Sequence, residues 1–298
     1  MTDTLRGAAW MTLAMGLFAV EDAFIKWVSG EVTVGFIILV IGLIGFAVFA
    51  SIARAQGHAL WSAELATRPV GLRIAGEAVG TLCFVSALAL VPLATATAIF
   101  QSGPLIVTLG AAVFLGAPVG WRRWSAIIVG FLGVLLIVRP GTDGFDPYLL
   151  LGVGAAIGLS IRDLATRAVP ANVPSMVLAA HGLAAIVPVG AGLMLFTGGS
   201  PLPSGLGLTG LVFATFAGLA GYYAIVTAMR LGDVAVVTSF RYTRLLFGLI
   251  IAVVIFNERP DALTLVGAAI VLASGIYTLM REARLARVAR RAPKTPSP

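Results

Sequence analysis

Residues 234–256 of the chain read VAVVTSFRYTRLLFGLIIAVVIF, an apolar run whose only charged residues are Arg241 and Arg244. A helix needs about 20 mostly apolar residues to cross the hydrocarbon core of a bilayer, so this run predicts a membrane-spanning helix. Nine similar runs occur elsewhere in the chain. The ten predicted helices lie near Ala8–Val28, Val32–Ile52, Val70–Leu90, Thr95–Leu115, Trp121–Val138, Tyr148–Ala168, Ser175–Phe196, Leu206–Met229, Val234–Phe256 and Ala262–Leu279.

The composition agrees with a membrane protein. Of the 298 residues, 59% are hydrophobic and 11% are charged, whereas roughly a quarter of an ordinary soluble domain is charged. The apolar runs are continuous rather than alternating, which favours helices over a β-barrel. We therefore predict an all-α integral membrane protein, in which Gly76 and Gly80, and Gly154 and Gly158, allow close contact between helices.

The positive charges indicate the orientation. With a cytoplasmic N-terminus, fifteen Lys and Arg residues fall on the cytoplasmic side and two, Arg139 and Arg259, on the other. Positive charge concentrates on the cytoplasmic side of membrane proteins, so both termini are predicted to be cytoplasmic. We expect a bacterial cytoplasmic (inner) membrane as the location and the lipid bilayer as a partner. The net charge of +7 then needs no nucleic acid.

An internal repeat divides the chain. At an offset of 141 residues, positions 87–99 align with 228–240, and Ala87 matches Ala228 while Thr97 matches Thr238. Five crossings in each half would make the halves inverted repeats, an arrangement that places a substrate site at the repeat interface. The predicted parts are a first five-helix repeat (1–141), a second (142–282) and a basic, disordered cytoplasmic tail (283–298).

Two stretches carry a family resemblance. PLATATAIFQSGPLIVTLGAAVFLGAPVGWRRWSAIIVGFLGVLLIVRPG (92–141) and LGDVAVVTSFRYTRLLFGLIIAVVIFNERPDALTLVGAAIVLASGIYTLM (231–280) resemble the two halves of an EamA-type transporter of the drug/metabolite transporter superfamily. The resemblance implies ten helices around a central cavity, alternating access, no cofactor, and substrates that range over amino acids, nucleotide-like metabolites and drugs. The chain departs from the family pattern at Ala117, where a Glu is usual, whereas the second half keeps Glu258.

Eight charged residues fall within or just inside the predicted helices. A charge at the centre of a spanning helix costs about 2.5 to 3.5 kcal/mol on insertion scales, so these side chains should face the protein interior. We predict cavity or coupling roles for the acids and one arginine. The eight are Glu21, Asp22, Glu77, Asp163, Lys26, Arg162, Arg241 and Arg244.

The two arginines of the ninth helix are the leading substrate ligands. Arg241 and Arg244 are three residues apart and share a helical face, so an anion is expected beside them. That anion is Glu21, Glu77 or a substrate carboxylate or phosphate. In the alternative, both arginines are structural and pair permanently with Glu77 and Asp163. Binding of a substrate anion predicts a secondary transporter of a small anionic or zwitterionic metabolite.

Other residues extend the candidate site. Tyr242 is predicted to contact substrate or to pack in the core, and Gln101, which aligns with it in the repeat, is predicted to line the cavity. Tyr222 and Tyr223 are further substrate-binding candidates, with packing or interfacial anchoring as the alternative. Pro104 is expected to kink the fourth helix.

The first helix contains two adjacent acids. Asp22 and Lys26 are four residues apart, which predicts a local ion pair. Glu21 points about 100° away and has no such partner, which suits proton coupling. The same two acids leave open the efflux of cationic or amphipathic drugs.

Sequence motifs argue against an intramembrane enzyme. The chain has no HExxH or GxSxG sequence, and one Cys and two His are too few for a usual zinc site. No catalytic or metal-binding residue is predicted. A homodimer is left open.

Overall fold

The computed structural model describes residues 3–116, 119–142, 145–170, 172–229, 231 and 234–291. Within these residues, ten helices are long and apolar enough to cross a bilayer. The chain is therefore an integral, multi-pass membrane protein, as the sequence predicts.

Eight of the ten spans are single helices. We number spans 1 to 10 in chain order and call the end of the bundle where span 1 begins and span 10 ends the terminal face; the other end is the opposite face. The uninterrupted spans 1, 2, 3, 5, 6, 7, 8 and 10 are Asp3–Val28, Val34–Ala55, Arg68–Leu90, Trp121–Val138, Leu149–Arg167, Ser175–Thr197, Gly205–Met229 and Ala262–Arg291.

Span 10 is longer than expected. We predicted a disordered tail from residue 283, but the helix continues to Arg291. The sequence REARLARVARR explains this extension because Arg, Ala and Leu are strong helix formers. Residues 292–298 lie outside the described part of the chain.

Spans 4 and 9 are interrupted at equivalent positions. Span 4 consists of helices Leu93–Phe100 and Gly103–Phe114, and span 9 of helices Val234–Ser239 and Thr243–Val254 joined by a 3₁₀ turn. The predicted distortion near Pro104 is confirmed, since a proline lacks an N–H and its ring clashes with the carbonyl four residues earlier. Span 9 breaks without a proline, 141 residues further along the chain.

Helix packing shows the inverted repeat. Span 3 packs along span 6 and span 1 along span 8, while span 2 packs on span 7 and span 5 on span 10. If the two five-span halves are exchanged, the pair of spans 3 and 6 becomes the pair of spans 8 and 1. The pair of spans 2 and 7 and the pair of spans 5 and 10 each map onto themselves. The fold is therefore all-α, with two inverted five-helix repeats, as predicted.

Glycines allow spans 3 and 6 to approach closely. A Cβ atom at Gly76 would lie 2.7 Å from the carbonyl oxygen of Gly158, and one at Gly158 would lie 2.7 Å from the Cα of Gly80. Any side chain there would push the helices apart, so the predicted role of these glycines in close packing is confirmed.

Candidate functional site

A buried ion pair joins spans 1 and 9. Arg244 donates from Nε to Asp22 Oδ2 (3.0 Å) and from Nη2 to Asp22 Oδ1 (2.7 Å). The rings of Phe18, Phe84 and Phe100 surround the guanidinium, with centroids 5.0 to 5.2 Å from its Cζ. The Asp22 side chain is 1% exposed and that of Arg244 is 11% exposed. One carboxylate and three aromatic rings therefore already occupy Arg244.

The predicted local pair between Asp22 and Lys26 is wrong. Lys26 Nζ donates to the carbonyl oxygens of Val91 (2.8 Å) and Leu88 (3.3 Å) and lies 3.7 Å from Glu258 Oε1. The long lysine stem carries the ammonium to the end of span 3, where carbonyls lack helical partners. Asp22 is left to the guanidinium of span 9, whose planar fork binds both carboxylate oxygens.

Glu258 closes the opposite face. Its Oε1 accepts a hydrogen bond from the Leu93 amide (2.7 Å) and its Oε2 accepts one from the Ala94 amide (3.0 Å). The carboxylate thereby caps the start of span 4, where free N–H groups and the helix dipole favour negative charge. With Lys26 it forms the opposite-face knot, which ties spans 1, 3 and 4 to the loop after span 9. Ala117, the repeat equivalent of Glu258, lies outside the described residues.

A second group of charges lies nearer the terminal face. Arg162 contacts Glu77 (3.0 Å) and Asp163 (2.9 Å), Arg73 lies 3.9 Å from Glu77, and Arg241 lies 4.0 Å from Asp163. We call these five residues, from spans 3, 6 and 9, the charge cluster. Three of the predicted cavity residues, Glu77, Arg162 and Asp163, thus meet one of the two predicted arginines.

Sequence reasoning missed Arg73, which it assigned to the cytoplasmic surface. The residue is 6% exposed, and its Nη1 donates to the Leu178 carbonyl at 2.9 Å. One signal in the sequence could have placed it in the interior. Arg73 lies five residues inside span 3, one helical turn before Glu77.

The two arginines of span 9 do not share a carboxylate. Arg244 pairs with Asp22, whereas the Arg241 side chain is 40% exposed and lies at 4.0 Å from Asp163. The Arg241 carbonyl, freed by the break in span 9, accepts a hydrogen bond from Gln101 Nε2 (3.3 Å). Gln101 stands at the corresponding break in span 4 and is 5% exposed, so it links the two broken spans.

The three candidate tyrosines have different surroundings. Tyr222 packs edge-to-face against Phe49 at 4.8 Å and lies within electrostatic range of the charge cluster. Tyr242 is 3% exposed, and its hydroxyl lies against Gly275 of span 10. Tyr223 is 62% exposed on the outer surface of the bundle. Adjacent helical residues point about 100° apart, so Tyr222 and Tyr223 cannot both face the interior.

Glu21 is next to Asp22 in the chain but forms none of these ion pairs. The side chain is half-buried between spans 1 and 8, and its carboxylate rests against Gly218. Among the residues that the structure describes, no hydrogen-bond or ion-pair partner contacts it. Arg244 pairs with Asp22 and Arg241 lies near Asp163, so Glu21 is not the anion beside either arginine.

Comparisons with known proteins agree with this architecture. The EamA-like transporter family matches residues 5–139 and again residues 146–280. The chain is 27% identical to a riboflavin transporter of Rhizobium johnstonii, covering 94% of this chain and 93% of that one. It is 30% identical to an S-adenosylmethionine uptake transporter of Rickettsia felis over 65% of this chain and 66% of that one.

Two further matches extend the range. A pseudopaline exporter of Pseudomonas aeruginosa, CntI, is 26% identical over 91% of this chain and 94% of that one. A crystal structure at 21% identity covers 94% of this chain and 98% of that chain with a TM-score of 0.63, which supports the fold.

Ten spans in inverted repeats, with ionised side chains between them, are typical of membrane transporters of small molecules. The two family matches cover nearly the whole chain, one in each repeat. The chain belongs to the EamA-like transporter family, and its relatives are named as transporters of small metabolites.

Proposed function

We propose that the protein moves a small zwitterionic or anionic metabolite by alternating access, and that Arg241 binds the negative group of that metabolite. The observation that carries this proposal is the incomplete pairing of Arg241, which is 40% exposed and 4.0 Å from Asp163. Both carboxylate oxygens of Asp22 already occupy Arg244. A substrate carboxylate or phosphate would complete the donor set of Arg241 in the bidentate geometry that guanidinium favours.

Neighbouring residues orient this arginine. Arg162 contacts both Glu77 and Asp163, which fixes Asp163 beside Arg241. Gln101 holds the Arg241 backbone. In this proposal Tyr222, which lies within electrostatic range of the charge cluster, offers its hydroxyl to the cargo.

The exposure of the ionised side chains favours access from the terminal face. Side-chain exposure is 40% at Arg241, 33% at Asp163 and 26% at Arg162, but 17% at Lys26 and 12% at Glu258. Glu77 and Arg73, deeper in the charge cluster, are 14% and 7% exposed. This gradient supports a state in which the charge cluster is reached from the terminal face while the opposite-face knot is closed. Opening the other way would separate Lys26 from Glu258, with the breaks in spans 4 and 9 serving as hinges.

The terminal face is the cytoplasmic one in this proposal, because the positive charges of the sequence concentrate there. The relatives are named for both uptake and export. Their names therefore do not favour one direction of transport for this chain.

Efflux of cationic drugs is the alternative, and the unpartnered carboxylate of Glu21 favours it. This efflux alternative predicts that the ligands carry a positive charge and no acidic group. The metabolite proposal predicts ligands in which an acidic group is essential.

The test is a thermal-shift screen of the purified protein against metabolites that include riboflavin and S-adenosylmethionine, followed by uptake into proteoliposomes. A ligand that binds only the folded state raises the melting temperature. Arg241→Gln should weaken the response to acidic ligands by about tenfold or more, because a charge-assisted contact is lost. Arg139→Gln, which removes an arginine far from the charge cluster, is the control. An unchanged response in Arg241→Gln would contradict the proposal.

A further inference from the structure

The two repeats pack in the same register, so contacts in one can be compared with contacts in the other. Gly80 of span 3 faces Leu159 of span 6, and 141 residues away on each side Gly221 of span 8 faces Phe18 of span 1. The two family matches are also 141 residues apart at both ends. The contact of Gly80 with Leu159 thus has a counterpart between spans 8 and 1.

One pair of counterparts differs in charge. In spans 3 and 6, Glu77 meets Arg162 at 3.0 Å. The equivalent positions in spans 8 and 1 are Gly218 and Glu21, which also touch. Glu21 therefore occupies the position that Arg162 has in the other repeat. Gly218 occupies the position that Glu77 has there. The counterpart of a complete ion pair is a single carboxylate.

The cations of spans 1 and 9 that lie in the same part of the bundle, Arg244 and Lys26, are engaged elsewhere. The Arg244 guanidinium donates two hydrogen bonds to the Asp22 carboxylate. Lys26 gives its ammonium to the carbonyls of Leu88 and Val91. Neither is within ion-pair distance of Glu21 among the described contacts, although Arg244 contributes a favourable field.

An ionised carboxylate between membrane spans is strongly unfavourable without a compensating charge, so a cation that reached Glu21 would be bound favourably. We propose that the cargo supplies this cation: Glu21, seated on Gly218, binds a positively charged nitrogen of the transported metabolite. This inference rests on the proposed function and narrows its substrate class to zwitterions. Arg241 would bind the acidic group and Glu21 an ammonium, whose N–H donors suit a carboxylate.

The experiment measures thermal shifts with matched probes. Amino acids with uncharged side chains are each tested beside their N-acetylated derivative, which keeps the carboxylate and removes the positive charge of the amine. Riboflavin, which has no cationic nitrogen at neutral pH, is a further probe. The proteins are the wild type, Glu21→Gln, Glu21→Asp and Glu31→Gln. Glu31 is a matched acid because it lies in the loop after span 1, where it binds Ser204.

We expect the wild type and Glu31→Gln to respond to free amines at least about tenfold more strongly than to their N-acetyl derivatives. Glu21→Gln should lose this preference while keeping a response that depends on the carboxylate. Glu21→Asp, which retains the charge, should restore part of the preference.

Two outcomes would overturn the inference: equal binding of both members of each pair by the wild type, or an unchanged preference for amines in Glu21→Gln. A wild-type protein that responds to none of the acidic probes would instead contradict the proposed function itself. In that case Arg241→Gln would also have no effect. The two failures are therefore distinguishable.

Discussion

The pair of spans 3 and 6 and the pair of spans 1 and 8 have one packing geometry and two patterns of charge. Between spans 3 and 6, Arg162 is bound by both Glu77 and Asp163. Between spans 1 and 8, Glu21 rests on a glycine, and its neighbour Asp22 turns to span 9. Repetition of the backbone thus fixed where the side chains meet, and divergence of the side chains decided which of these positions form an ion pair.

The largest expected effect comes from breaking the most buried pair. Asp22→Asn leaves the guanidinium of Arg244 without its counter-charge, which should cost about 3 to 5 kcal/mol of stability. The repeat-equivalent change, Asp163→Asn, should cost clearly less, because Asp163 is 33% exposed and Arg162 keeps Glu77. Thermal melting of the two variants in the same detergent measures the difference.

Equal melting temperatures for these two variants would contradict the assignment of Asp22 and Arg244 as the structural pair. A double change of Asp22→Leu and Arg244→Met sharpens the test. Replacing both partners with apolar residues should recover much of the lost stability, since no charge is then left unpaired.

The second prediction concerns the glycines between the paired spans. Gly76→Ala places a Cβ 2.7 Å from backbone atoms of Gly158 and Arg162, which cannot move without shifting span 6. Overpacking of this kind should cost about 1 to 3 kcal/mol. Gly218→Ala meets the end of the flexible Glu21 side chain instead, so its cost should be smaller. A larger loss of melting temperature for Gly218→Ala would show that spans 1 and 8 do not pack as the repeat comparison requires.

A third prediction tests the opposite-face knot. Glu258→Gln removes the negative charge that caps span 4 and faces Lys26, with a cost of about 1 kcal/mol. Hydrogen exchange at the Leu93 and Ala94 amides should become faster. Glu31→Gln, which changes another acid on the same face, should leave these amides unaffected. Unchanged exchange in Glu258→Gln would exclude the knot as the contact that closes this face.

The smallest expected effect is at the exposed pair of Arg139 and Asp261, which joins spans 5 and 10. The Arg139 guanidinium and the Thr264 amide lower the pKa of Asp261 to about 2. Because the folded pKa is below the usual value, the pair stabilises the protein at neutral pH, and this contribution is lost as pH falls toward 2. The Asp261 side chain is 53% exposed, so solvent keeps the effect of Arg139→Gln below about 1 kcal/mol.

Melting temperatures measured between pH 5 and pH 2 check this prediction. Arg139→Gln should show a weaker loss of stability with acid than the wild type. Identical pH profiles would mean that the pair contributes nothing measurable.

Much of the fold was readable from the sequence because a bilayer requires long apolar helices and places charges inside. The run at 234–256 predicted a span, and Pro104 predicted the distortion of span 4. Span 9 contains no proline that would predict the second break. The turn at Phe240–Tyr242 follows from contacts with the rest of the bundle, such as the hydrogen bond from Gln101.

The pairing of charges was harder to predict. Helical spacing favoured Asp22 with Lys26, but the observed partners come from spans far apart in the sequence. Residue spacing predicts which side chains are neighbours on one helix, but it does not predict which spans face each other. Once the repeat is used to match spans 3 and 6 with spans 8 and 1, the unpartnered state of Glu21 becomes visible from the sequence as well.

The central claim is that Arg241 binds cargo while Arg244 holds the helices together. The most direct measurement compares Arg241→Gln with Arg244→Gln by melting temperature, with and without a ligand that stabilises the wild type. We predict that Arg241→Gln melts like the wild type without ligand and loses the ligand-induced shift, whereas Arg244→Gln melts at a clearly lower temperature. A full ligand-induced shift in Arg241→Gln would contradict the account.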